Sequence, residues 1–162
     1  GLAQLTTDDL SVQDAMENLY SDGVMTNLVS LSREFAIHHG RVILDKPGIV
    51  FAATDGCFGY VSSPMEFEGM LLSSLKNSHT FREWEEAMTD VIGSVAGDDY
   101  TLSGIVLGFG GFDKMRAGFA KRWHTLFREY LIDIGNLDRE GKTILWERYR
   151  KNYSRFLRKP QE

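Results

Sequence analysis

The chain has 162 residues, 43% of them hydrophobic and 12% aromatic, which is enough to bury one core within the usual size of a single domain. No apolar run approaches the ~20 residues of a membrane-spanning helix, and a single cysteine rules out an internal disulfide, so we expect a soluble cytoplasmic protein. Residues 1–111 hold 5 Lys and Arg against 16 Asp and Glu, whereas residues 112–162 hold 13 against 7. This division fits either an acidic body with a basic helical segment laid on it or a basic surface for an anionic partner.

The N-terminal part combines one helical pattern with several extended ones. Ser11 stands before apolar residues at helical spacing, which predicts a short helix within residues 12–20. Residues 35–53 hold short apolar stretches that predict strands, with a turn at residues 45–48. The run at residues 49–53 has no polar interruption, and it therefore predicts a central strand covered on both faces.

Two capping boxes mark the elements that follow. In the first, Ser63 is followed by Pro64 and Glu66. In the second, Thr80 is followed by Glu83. In each box, the hydroxyl and the carboxylate can satisfy backbone N–H groups that a helix start leaves free. The predicted elements are helices over residues 64–75 and from residue 81 to near residue 97, and a strand over residues 102–109.

A continuous helical period follows residue 111. Apolar residues recur there at steps of three and four. The pair Gly135-Asn136 predicts a helix stop, and Asp138 can begin another helix. The chain therefore divides into residues 1–111, of α+β character, and a helical hairpin of residues 112–162 packed on them.

Basic residues alternate with aromatic ones near the C-terminus, within residues 148–159. Binding to nucleic-acid phosphates needs cations gathered on one face, whereas these charges spread around the helix, so we expect no nucleic-acid role. The hairpin is expected to cover one side of residues 1–111 or to dock a protein partner.

Carboxylates stand at the ends of both predicted strands. Asp55 and Gly56 follow the apolar strand at once, and Asp98 and Asp99 precede the next strand. If the two strands are antiparallel neighbours, Asp55 and Asp98 meet at one end of the sheet. Oxygen ligands favour Mg²⁺ or Mn²⁺ over zinc. A simpler interpretation makes Asp-Gly a turn and the aspartate pair a polar loop or helix cap.

Two other residue types invite a functional interpretation. Cys57 lies near Asp55, but no histidine is placed nearby in sequence to activate it, so we expect a small buried hydrophobe. His38 and His39 are adjacent on an extended segment and point to opposite faces. We therefore expect them at the surface and not on a metal.

Three segments of the chain match sequence motifs in a fixed order. The segment Thr54-Asp55-Gly56-Cys57-Phe58-Gly59-Tyr60-Val61 is similar to an S/T-D-G-hydrophobic motif. The segment Gly97-Asp98-Asp99-Tyr100-Thr101 is similar to a G-x-D-N-x-T motif. Upstream, Gln4-Leu5-Thr6-Thr7-Asp8-Asp9 is similar to L-T-x-D-H. With these motifs in this order, the chain resembles the type 2C-like (PPM) family of metal-dependent serine/threonine protein phosphatases, and the resemblance covers roughly residues 3–109.

The resemblance implies an α-β-β-α sandwich of antiparallel strands flanked by helices. It also implies two Mg²⁺ or Mn²⁺ ions that activate a water for attack on phosphoserine or phosphothreonine in a protein substrate. By motif matching, Asp55 and Asp98 are metal ligands. Gly56 and Asp99 have supporting roles, since Asp99 stands where the family usually has asparagine.

Departures from the family pattern limit what this chain does alone. The family's acidic strand, D-G-x-x-G motif and phosphate-binding arginine have no counterpart here. We therefore expect a C-terminal portion of a phosphatase, with no complete catalytic set and no activity by itself. The alternative is a catalytically inactive, phosphatase-like regulatory or protein-binding module. In either case, half a sandwich exposes sheet edges, so we expect the isolated chain to self-associate.

Overall fold

A computed structural model describes the chain at residues 1–2, 4–6, 9–12, 14–21, 24–27, 31 and 35–153. It is an α+β structure, as expected from the sequence. The α-helices and strands, in chain order, are α1 (Ala15–Asn18), β1 (Gly48–Ala53), α2 (Pro64–Asn77), α3 (Phe81–Gly93), β2 (Leu102–Leu107), α4 (Phe112–Leu126) and α5 (Arg139–Tyr153).

The two strands form an antiparallel pair. Gly48 lies opposite Leu107 and Ala53 opposite Leu102, which meets the condition under which Asp55 and Asp98 lie at one end of the sheet. Among the described residues β1 pairs with β2 alone, so its predicted central position is wrong. Its last residue, Ala53, is exposed.

Residues 35–47 carry no strand, although their sequence predicts strands there. A strand needs a neighbouring strand for its backbone N–H and C=O groups, and in the described structure this segment pairs with none. Both backbone groups of Ala36 bond to the Asn27 side chain instead. The segment's apolar side chains are consequently left in solvent, as Ile43 shows with 83% of its surface exposed.

Both predicted capping boxes are confirmed. Ser63 accepts a hydrogen bond from the Glu66 backbone N–H, and Thr80 accepts one from the Glu83 N–H at 3.1 Å. Each glutamate then accepts an N–H from the residue before the cap, Ser62 in the first box, at 2.8 Å. The capping boxes thus fix where α2 and α3 begin.

Several element boundaries differ from the prediction. The helix α2 ends at Asn77 and not at residue 75, and β2 ends at Leu107 and not at residue 109. The first helix begins after Asp14 instead of Ser11, because the Asp14 carboxylate accepts the N–H groups of Met16 and Glu17. The third helix ends at Gly93, short of the predicted end near residue 97.

The described chain from residue 112 to residue 153 is mainly helical, with two irregular turns between α4 and α5. Beyond α4 the chain makes a π-helical turn, Phe127–Leu131, in which the Ile132 N–H donates to the Phe127 carbonyl at 2.9 Å. A 3₁₀ turn at Ile134–Asn136 then separates this stretch from α5, at the predicted stop. The apolar stripe enters a core cluster shared by α1, α2, α4 and α5, whose buried members are Met16, Met65, Leu72, Leu126, Tyr130, Ile134, Trp146 and Tyr149.

Candidate metal-binding site

The antiparallel register brings the two aspartate-bearing loops to the same end of the sheet. Asp55 begins a 3₁₀ turn directly after β1, and Asp98 lies just ahead of β2. The Thr54 N–H donates to the Thr101 carbonyl at 3.0 Å, and the Thr101 N–H donates to the Thr54 hydroxyl at 2.9 Å. These two hydrogen bonds extend the strand pairing past its last residues and hold the loops together.

Gly56 allows the loops to touch. A Cβ atom at this buried position would lie 2.3 Å from the backbone carbonyl oxygen of Asp99, far inside van der Waals contact. Only a residue without a side chain can therefore follow Asp55 here. Asp99 supports the site through its backbone in this structure, by forming the surface against which Gly56 packs.

Cys57 completes the contact between the loops from the inside. Its side chain has no exposed surface, and its thiol donates to the Thr101 carbonyl at 3.2 Å. The expectation that this cysteine is a small buried residue is confirmed.

The carboxylates of Asp55 and Asp98 each accept a hydrogen bond from the backbone of their own loop. Asp55 accepts the N–H of Gly56 at 3.0 Å, and Asp98 accepts the N–H of Asp99 at 2.8 Å, so each uses one oxygen locally. All three aspartates are exposed, and no ion pair within the described residues involves any of them. Their remaining lone pairs are available to a cation.

Carboxylate oxygens are the type of ligand that a hard divalent cation prefers, but this site brings few of them together. Mg²⁺ prefers six oxygen ligands and usually keeps several waters, which carboxylates of this sort complement. Within the described ranges, however, no group of three or more His, Cys, Asp or Glu side chains is placed to hold a metal ion. Asp55 and Asp98 would therefore bind a cation together with water or with further protein groups.

His38 and His39 lie at the surface, as predicted, and His38 has a specific partner. His38 Nε2 lies 2.7 Å from a carboxylate oxygen of Asp9, and Asn27 donates to the other oxygen at 2.8 Å. The Asn27 hydrogen bond, followed by that of His38, holds the pKa of Asp9 below its ordinary value. Asp9 is the last residue of the L-T-x-D-H-like segment, whose Thr7 and Asp8 fall outside the described residues.

A polar junction that the sequence analysis missed ties α5 to the loop after the site. The Lys142 ammonium donates to the Ser62 hydroxyl at 2.7 Å, and that hydroxyl contacts both carboxylate oxygens of Glu66. Tyr20 adds a hydrogen bond to the Ser62 carbonyl at 3.3 Å. Lys142 and Ser62 are 80 residues apart, so no local pattern could reveal the pair.

A second missed network links α2, α4 and α5. Glu68 is 4% exposed, and its carboxylate receives hydrogen bonds from the Nε and Nη2 groups on one edge of the Arg122 guanidinium and from the Tyr149 hydroxyl. Burial alone would lower the pKa of Arg122, but hydrogen bonding and charge from Glu68 outweigh it and raise that pKa. A glutamate among the apolar residues of α2 was the available signal in the sequence.

Comparison of the chain with protein-family models, with curated proteins and with solved structures found no match. None of the helices in the described ranges combines the length and the apolar character needed to cross a membrane. The motifs and the loop geometry therefore carry the functional argument.

Proposed function

We propose that this chain is the C-terminal portion of a metal-dependent serine/threonine protein phosphatase, with residues 1–111 belonging to its α-β-β-α sandwich. The observation that carries the proposal is the meeting of the Asp55 and Asp98 loops at one end of an antiparallel strand pair. These are the two segments that resemble phosphatase metal-binding motifs. Their sequence separation alone does not require them to be neighbours.

In this proposal Asp55 and Asp98 hold Mg²⁺ or Mn²⁺, and the chain's own contribution is to place them. When bound, such ions lower the pKa of a water and neutralise charge on a phosphate ester. The end of β1 fixes the backbone of Asp55, and the Thr54–Thr101 hydrogen bonds fix the distance between the loops. Gly56 and Asp99 support the arrangement by close backbone packing.

Residues 112–162 have a structural role in this proposal, as the support of the phosphatase-like part. The Glu68 network and the Lys142–Ser62 hydrogen bond fasten the helices of this segment to α2 and to the loop that follows the site. The substrate is a phosphoserine or phosphothreonine of another protein.

Mn²⁺ binding to the 162-residue chain tests the site directly. Electron paramagnetic resonance measures free Mn²⁺ during a titration, and we expect weak binding that Asp55→Asn or Asp98→Asn abolishes. Asp90→Asn, an exposed aspartate on α3, is the matched control and should bind as the wild-type chain does. Equal binding by the Asp55→Asn chain would contradict the assignment of the site.

Hydrolysis of para-nitrophenyl phosphate with Mn²⁺ then separates the two candidate functions. Binding at Asp55 without turnover supports an incomplete phosphatase centre. Turnover that Asp55→Asn removes would support phosphatase chemistry and overturn the expectation that this chain is inactive alone. Absence of Mn²⁺ binding would favour the inactive regulatory or protein-binding module.

A further inference from the structure

A small groove lies between the C-terminal half of α2 and the neighbouring face of α4. Its floor is apolar, because Leu72 and Leu75 are buried and Phe119 packs against two core clusters. The residues that line it are Leu72, Leu75, Lys76, Arg116, Phe119, Ala120, Trp123 and His124. Five of these eight are apolar, so an occupant would bury mainly hydrocarbon surface there.

The polar part of the lining carries only basic groups. Arg116 is already engaged, because it pairs with the Asp113 carboxylate at 3.1 Å. Lys76 lies with its ammonium 5.4 Å from the centre of the Trp123 ring, and His124 is exposed at the end of α4. Neither Lys76 nor His124 forms an ion pair within the described part of the chain.

The charge around this groove contrasts with that of the surrounding sequence. Lys76 is one of only 5 Lys and Arg residues among residues 1–111, which carry 16 acidic ones. Lys76 has no carboxylate partner within the described residues, so its ammonium makes the area above the apolar floor locally positive. Such an area attracts an anionic segment and repels a basic one.

We propose that this groove is a docking site for an acidic peptide segment of a partner protein. The segment places an aliphatic or aromatic side chain against Phe119 and Trp123 and a carboxylate near Lys76 and His124. The apolar contact supplies most of the buried area, and the Lys76 ammonium selects the charge. Nucleic acid fits less well, since its binding requires a longer series of phosphate contacts than Lys76 alone provides. The proposal does not depend on phosphatase activity.

The test uses a fluorescein-labelled ten-residue peptide, with Leu-Phe flanked by glutamates, and the full 162-residue chain. Fluorescence anisotropy should show binding that weakens as salt is added. Two comparison peptides replace the glutamates by lysines or the Leu-Phe pair by serines, and both should bind at least about tenfold more weakly. Lys76→Glu should also weaken binding of the acidic peptide by about tenfold, since it reverses one charge at the rim.

Lys121→Glu is the matched control, because Lys121 is an exposed lysine of α4 outside the groove lining and undergoes the same charge change. It should change the affinity by less than about twofold. Ala120→Trp, which fills the groove, should abolish binding without changing net charge. Circular dichroism melts show that each variant is folded. The proposal is overturned by no binding at about 1 mM peptide, by equal losses in Lys76→Glu and Lys121→Glu, or by equal displacement with a single-stranded oligonucleotide.

Discussion

Replacing Glu68 by glutamine should destabilise the fold more than any other single charge removal among the described residues. Glu68 is the only charged side chain there that is fully buried, and both Arg122 and Tyr149 donate to it. Removing one partner of a buried ion pair costs about 3–5 kcal/mol, because the other charge stays desolvated. The Arg122 side chain is 25% exposed and can recover some water, so we expect the lower end, about 3 kcal/mol.

Urea unfolding followed by circular dichroism at low protein concentration measures this loss. With a slope of about 2 kcal/mol per molar urea, the midpoint of the Glu68→Gln chain should fall by about 1.5 M. Glu85→Gln, an exposed glutamate on α3, is the control and should change the unfolding free energy by less than about 0.5 kcal/mol. A Glu68→Gln midpoint equal to that of the control would refute the reasoning.

Two further measurements distinguish charge burial from lost packing. The double variant Glu68→Met with Arg122→Met leaves no unpaired buried charge, so it should be more stable than Glu68→Gln alone. The raised pKa of Arg122 contributes stability that is complete at every pH below the already high ordinary pKa of a guanidinium and is lost only above it. The effect of Glu68→Gln should therefore be the same at pH 6 and pH 8.

Gly56→Ala would place a carbon 2.3 Å from a backbone carbonyl oxygen of the facing loop, so it should lower the free energy of unfolding in urea by about 1–3 kcal/mol. Gly135→Ala is the control, because a Cβ there meets nothing within 4 Å and the variant should be as stable as the wild type. In a ¹³C titration the pKa of Asp9 should lie below 3.8, and it should rise in the Asn27→Ala chain. The stability that the ionised Asp9 contributes to the fold is present at neutral pH and is lost as the pH falls through this lowered pKa. An unchanged value would oppose the hydrogen-bond explanation. At ~100 μM the chain should sediment as a species larger than a monomer. Ile105→Lys, at a 62% exposed position on β2, should lower the fraction of associated chains. A monomeric wild-type chain would count against edge pairing.

Local rules explain why so many boundaries could be predicted from the sequence. A capping box needs only residues within one turn, and both Ser63 and Thr80 begin the helices they predict. The break predicted at Gly135-Asn136 is present as a 3₁₀ turn, although α4 and its π-helical extension already end at Leu126 and Leu131. Both strands were also predicted, because each is a short apolar run with turn residues at its ends, whereas their antiparallel pairing entered only as a condition and through the family resemblance.

Long-range partners could not be predicted in the same way. An apolar run predicts burial but not what covers it, so β1 was expected in the centre of a sheet and has one neighbour in the described structure. The Lys142–Ser62 and Glu68–Arg122 contacts join residues 80 and 54 positions apart. At the candidate site, the positions of the aspartates followed from the sequence, but the closeness of Gly56 to the opposite loop required coordinates.

The labelling rate of the buried Cys57 thiol measures how often the end of the sheet opens where the aspartate loops meet. Cys57 is the only cysteine in the chain, it has no exposed surface, and it is hydrogen-bonded to the facing loop. A thiol reagent can reach it only when this region opens, so the labelling rate is the intrinsic thiol rate multiplied by the fraction of open molecules. A ligand that joins the loops would slow the labelling and a change that separates them would speed it, which makes the opening equilibrium measurable on the unmodified sequence.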